Sequence, residues 1–86
     1  MSVQVHIPTP LRSLTGGAAA VTIDAQDVAS LIEALESRHA GIRERLVEPD
    51  GSLRRFVRIF VNEEDIRFLA DAKTPLKAGD SVAIES

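Results

Sequence analysis

The chain contains no cysteine, so it has no disulfide, no thiolate nucleophile and no thiolate metal site of its own. Tryptophan and tyrosine are absent, and three phenylalanines are the whole aromatic complement. A core built from this sequence is therefore aliphatic. No apolar run reaches the ~18 residues that a membrane-spanning helix needs. The N-terminus lacks a basic segment followed by an apolar one, the pattern of a secretory signal. These absences point to a cytoplasmic protein with no membrane partner. A basic balance is missing as well: ten Lys and Arg against thirteen Asp and Glu leave a net charge of −3. Nucleic acid is excluded as the main expected partner, because phosphate binding needs a basic field.

What is present fits one domain spanning residues 1–86, with 44% apolar residues. A chain of this length buries about 60–65% of its unfolded surface, so its core is modest. The stretch from Arg54 to Phe68 organises the rest. Val57, Ile59 and Val61 alternate with Phe56, Arg58 and Phe60, the period of two that puts each set on its own face of a strand. The β-branched set suits a core-facing row. Four polar residues, Asn62 to Asp65, then read as a turn before Ile66 and Phe68 resume the alternation. The pattern predicts a β-hairpin whose first strand is central to a small sheet.

Upstream, Val3, Val5 and Ile7 alternate with Gln4 and His6, a first strand ended by Pro8. Leu11 and Leu14 are expected to tuck under the sheet, and Thr15-Gly16-Gly17 to turn the chain. This glycine pair is no phosphate loop, which needs a strand before and a helix directly after. Val21 and Ile23 flank Thr22 in a second strand that pairs with the first. Val28, Leu31, Ile32 and Leu35 then form one apolar helix face. Asp27 is placed as its N-cap and Gly41 as the C′ residue that stops it. Arg38 and His39 fall in its last turn, where positive charge suits the dipole. Ile42 to Leu46 can add one helical turn, and Glu48-Pro49-Asp50-Gly51 is a turn. Lys73 to Leu76 reads as loop or a 3₁₀ turn. Lys77-Ala78-Gly79-Asp80 turns the chain into a last strand, with Val82 and Ile84 inward.

The predicted order is ββαβββ, an α+β fold with one main helix packed on one face of a mixed sheet. The opposite sheet face is left open, with Gln4, His6, Arg58, Phe60 and Ala83 outward. Phe60 is the expected exposed aromatic there, a mark of protein interfaces. Catalysis and metal binding find no support. Glu63, Glu64 and Asp65 are neighbours in one turn, not carboxylates facing each other across a cleft. His6 and His39 lie on different elements with no cysteine beside them.

Several phrases in order resemble the ubiquitin-like sulfur carriers of the β-grasp fold, the MoaD/ThiS family. They are Val5-His6-Ile7-Pro8-Thr9-Pro10-Leu11-Arg12 with Thr15-Gly16-Gly17, and Gly41-Ile42-Arg43-Glu44-Arg45-Leu46. Arg55 to Asn62, Glu64 to Phe68 and Thr74 to Ile84 complete the set. The subgroup most resembled includes a carrier that feeds a cysteine synthase. The resemblance implies no catalysis and no bound cofactor in the chain itself. It implies an E1-like adenylating enzyme that uses ATP, and a sulfur-accepting synthase of the cysteine synthase or molybdopterin synthase large-subunit kind. Cysteine, molybdopterin and thiamin biosynthesis are the pathways implied. The family's functional atom is the carboxylate of a Gly-Gly tail, which becomes a thiocarboxylate. This sequence closes on Ile84-Glu85-Ser86, so the Gly-Gly is expected beyond Ser86, and the 86 residues alone are expected to be incompetent for sulfur transfer. The other reading is a tailless ubiquitin-like binding module. In either case the expected partner-binding residues are Arg58, Phe60, Ala83, Glu85 and Ser86.

Overall fold

A computed structural model describes residues 2–86. Five strands form one sheet: β1 Ser2–His6, β2 Ala20–Asp24, β3 Arg58–Val61, β4 Glu64–Asp65 and β5 Ser81–Glu85. Between β2 and β3 lie two helices, α1 Val28–Arg38 and α2 Ile42–Leu46. The spatial order is β2-β1-β5-β3-β4. β1 runs parallel to β5, and every other neighbouring pair is antiparallel. This is the mixed sheet that the ββαβββ pattern predicts.

Alternation sets the two faces. Val3, Val5, Ile23, Ile59, Val61, Val82 and Ile84 are buried, while their outward neighbours are exposed or half-buried. Val28, Leu31, Ile32 and Leu35 of α1 are buried in the same core, joined by Ile42 and Leu46 of α2. Leu11 seals the core from the 3₁₀ helix Thr9–Thr15. Asp27 caps α1 as expected: its carboxylate accepts from the Ser30 N–H at 2.7 Å, and the Ser30 hydroxyl accepts from the Asp27 N–H at 3.2 Å. That reciprocal pair is a capping box, built here from aspartate and serine.

Several expectations are corrected. β3 is internal but not central; the middle place belongs to β5, because the parallel pairing with β1 puts the last strand between the two hairpins. β3 begins only at Arg58, and Arg55 and Phe56 form a turn before it. The hairpin loop is two residues rather than four. Asn62 and Glu63, at φ 48° and 73°, make it alone, and Val61 pairs with Glu64. Positive φ at both centres marks the tight turn whose twist matches that of paired strands. Ile66 and Phe68 do not extend the second strand, since Ile66–Phe68 is a 3₁₀ turn started by the Asp65 carboxylate accepting from the Arg67 N–H at 2.9 Å. Gly41 is left-handed at φ 98°, but it precedes α2, and α1 is capped at His39.

The outer edge of β2 is guarded. The Ile7 N–H donates to the Ala19 carbonyl, so in this register the backbone groups of Ala20, Thr22 and Asp24 point away from β1. Arg38 reaches from the end of α1, and its Nη1 donates to the Thr22 carbonyl at 2.9 Å. An unpaired edge invites another strand, and a charged side chain laid on it blunts that tendency.

Candidate partner-docking face

The face opposite the helices carries no covering element, so its composition follows directly from strand register. Phe60 on β3 stands opposite Asp65 on β4 and Ala83 on β5. Ala83 stands opposite His6 on β1, which stands opposite Ala20 on β2. One lateral row of outward side chains therefore crosses all five strands. A second row pairs Arg58 with Glu85, and a third runs from Thr22 through Gln4 to Ser81. Beside the first row lies a shallow hollow lined by Phe60, Asn62, Glu63, Ser81, Ala83 and Glu85.

Four of the five residues expected to bind a partner are thus brought together: Arg58, Phe60, Ala83 and Glu85. Ser86 follows Glu85 at the end of β5 and is exposed with it. The expectation for Phe60 is corrected in degree. Its ring is half-buried, with Ala83 and Asp65 opposite it on the two neighbouring strands. The fully exposed aromatics are Phe56 and Phe68, at 77% and 83%. Sequence alternation put Phe56 on the outward side but could not show that the turn before β3 lifts it clear.

Two polar clusters stiffen the face. Arg67 clamps Asp65 in a fork, with Nη2 at 2.8 Å from one carboxylate oxygen and Nε at 3.2 Å from each of the two. This side-chain hydrogen bonding, reinforced by the Arg67 N–H, holds the Asp65 carboxyl below the usual aspartate range. At the other end of the hairpin, the Asn62 amide donates to Asp80 at 3.0 Å and accepts from the Ser81 N–H at 3.0 Å. Asp80 also accepts from the Lys77 N–H at 2.8 Å. The Asn62 amide, followed by the Lys77 N–H, lowers the Asp80 carboxyl. The second cluster ties the β3–β4 turn to the start of β5, and the first braces the turn that follows β4. The second is not legible from local pattern: Asn62 and Asp80 each read as a turn residue, and their meeting depends on the sheet order.

No group of three or more His, Asp and Glu capable of holding a metal occurs among the described residues. Among them, too, no helix is long and apolar enough to cross a membrane. His39 is the C-cap of α1, as its position predicts.

The helices on one face, the parallel contact between first and last strand, and the open opposite face define a ubiquitin-like β-grasp protein. The ThiS family profile matches residues 5–84, and the chain belongs to that family. It is 45% identical to the sulfur carrier protein CysO of Mycobacterium tuberculosis, over 98% of this chain and 92% of the relative. The crystal structure of the M. tuberculosis CysO superposes with a TM-score of 0.93 at 45% identity, covering 96% of each chain. A chain of the Amycolatopsis orientalis BexX/CysO complex superposes at 0.92 with 43% identity, over 96% of this chain and 92% of that one.

Proposed function

We propose that the chain is a sulfur carrier whose C-terminal carboxylate, on a Gly-Gly tail expected beyond Ser86, is converted to a thiocarboxylate and consumed by a sulfur-accepting synthase. The observation that carries this reading is the placement of β5. It is the middle strand of the sheet, held between β1 and β3, and it leads the chain out at Glu85 and Ser86 beside the open docking face. A rigid sheet whose middle strand runs out beside an open face suits a reagent delivered into another protein's active site. The chain's lack of cysteine agrees with this chemistry, since the sulfur is held on the terminal carbonyl carbon.

An E1-like partner transfers the adenylyl group of ATP to the carboxylate, with pyrophosphate leaving. Sulfide from a donor then attacks the acyl carbon, and AMP departs with the carboxylate oxygen. The net change is one oxygen replaced by sulfur, with no redox step. A cysteine synthase-like acceptor is favoured over a molybdopterin or thiamin one by the likeness to CysO. The carrier binds no cofactor itself, and it is a co-substrate rather than an enzyme.

The test is intact mass of the protein purified from its native cells, before and after incubation with its E1-like enzyme, ATP and sulfide. A mass gain equal to one sulfur-for-oxygen exchange is the expected result. Stable association with that enzyme and an unchanged mass would instead make the chain a ubiquitin-like binding module.

A further inference from the structure

On the helix side of the sheet, away from the docking face, the core is open at one place. A groove of about 390 Å³ lies between α1, the loop that precedes β3 and the segment that follows β4. Val28 and Ile32 of α1, Val47 and Leu53 of the loop, and Ile66 line it with aliphatic side chains, all buried or half-buried. Ser52, Arg67, Asp71 and Ala72 line it as well and are exposed, so they form its rim. Gly51, at φ 91° and with open space where a Cβ would stand, leaves the mouth unobstructed. A second hollow shares Ile32, Val47, Gly51 and Ala72 and continues the groove along α1 to Glu33 and Arg43. The volume is at the small end of the range for ligand pockets and exceeds that of a benzyl side chain.

The same surface carries a side chain that suits such a groove. Phe68 and Leu69 lie in the chain between the rim residues Arg67 and Asp71, and consecutive Cα atoms are only about 3.8 Å apart. Phe68 is 83% exposed and Leu69 42%. The ring does not fill the groove beside it, because the 3₁₀ turn Ile66–Phe68 is closed by the Leu69 N–H donating to the Ile66 carbonyl. At three residues per turn, a backbone that sends Ile66 into the core turns Phe68 away from it. An apolar knob and an apolar hole therefore stand side by side on one surface. The rim also carries charge of both signs: Asp71 and Lys73 are exposed, and neither forms an ion pair among the described residues. A patch of this kind is complementary to itself. In a two-fold contact each residue meets in the partner what the partner's copy meets in it, and the contact closes at two copies. A small ligand in the groove would leave Phe68 and Leu69 in water.

We infer that the chain forms a two-fold dimer in which Phe68 of each copy enters the aliphatic groove between α1 and the Val47–Leu53 loop of the other. Each ring buries about 150–250 Å², well below the roughly 800 Å² per partner of a standard interface. The dimer is therefore transient and fills at high concentration. The groove lies on the helix side, so the pairing leaves the open face of both copies uncovered, and it does not depend on the sulfur-carrier reading.

The experiment is sedimentation equilibrium of the protein up to about 1 mM, where a weak specific contact already populates a dimer. The parent's mass is expected to rise from one copy toward two and no further. Phe68→Ser removes the knob, and Ala72→Trp fills the groove from its rim. Both positions are exposed, so both variants should keep the parent's circular dichroism and melting temperature. Each is expected to weaken association at least about tenfold, the loss of the anchors of the interface. An equimolar mixture of the two variants is expected to recover part of it, because the Phe68→Ser chain keeps an open groove and the Ala72→Trp chain keeps its Phe68. A parent that stays at the mass of one copy up to that concentration overturns the inference. So does either variant that associates within twofold of the parent, and so does a mixture of the two that recovers nothing.

Discussion

Adjacent residues on β3 should respond unequally to truncation if strand alternation separates the core from the open face. Ile59 is fully buried, and the next residue, Phe60, is half-buried on the other face. Ile59→Ala removes three carbons from a close-packed aliphatic core, and such losses cost about 2–5 kcal/mol, counting both the transfer term and the cavity left behind. A chain of 86 residues has a total stability of roughly 4–13 kcal/mol, so this one change removes a large share. With an unfolding entropy of about 0.18 kcal/mol per kelvin at this length, a loss of about 3 kcal/mol lowers the melting temperature by about 17 °C. Phe60→Ala deletes a larger side chain, but one already half in water, and should cost about 1–2 kcal/mol. Urea unfolding followed by circular dichroism gives both values, provided the slopes agree. A cost below about 1 kcal/mol for Ile59→Ala, or a larger cost for Phe60→Ala than for Ile59→Ala, would refute the assignment of the two faces.

Further outcomes follow from the same geometry. Phe60→Asp should weaken association with the E1-like enzyme while the domain stays folded; unchanged affinity in a folded variant removes Phe60 from the interface. Asp27, Asp50, Asp65 and Asp80 are held below the ordinary aspartate value of 3.8, and Glu36 below the ordinary glutamate value of 4.5, by hydrogen bonds made only in the folded state. Their contribution is complete above those unfolded values and is lost as pH falls through the lower folded ones. The urea midpoint should therefore drop steadily below roughly pH 5, and a flat or rising midpoint in acid would contradict the carboxylate networks. Glu63 sits at φ 73°, where a side chain is strained, so Glu63→Gly should raise stability by about 0.5–1 kcal/mol; a destabilised hairpin would count against the two-residue turn. Arg38→Ala should free the Thr22 carbonyl and raise self-association, read by light scattering against the parent protein. An unaltered mass at high concentration would show that the edge needs no guard.

Much of the fold was legible because it is local. Val3, Val5 and Ile7, or Val82 and Ile84, declare strands by a period of two, and Val28, Leu31, Ile32 and Leu35 declare a helix by a longer one. Asp27 announces that helix because only a few short polar side chains can satisfy its free N–H groups. The outward placement of Arg58, Phe60, Ala83 and Glu85 was legible for the same reason, since outward positions follow once inward ones are assigned. What stayed hidden was local structure that breaks its own pattern. Ile66 and Phe68 alternate as a strand does, yet Asp65 bonds to the Arg67 N–H and curls the chain into a 3₁₀ turn. Asn62 to Asp65 look like one polar loop, yet Glu64 and Asp65 pair with β3.

The sequence by itself determined the elements, their order, the helix cap and the division of each strand into a buried and an exposed row. These depend on backbone sterics and on side chains a few positions apart. Only the tertiary structure decided that β5 occupies the middle of the sheet, that Asn62 meets Asp80, and that Phe60 is half-covered while Phe56 and Phe68 stand in water. Those outcomes depend on which strands become neighbours, and that is set by pairing between residues far apart in the chain. The same distant pairing sets Glu85, at the end of β5, opposite Arg58 at the start of β3.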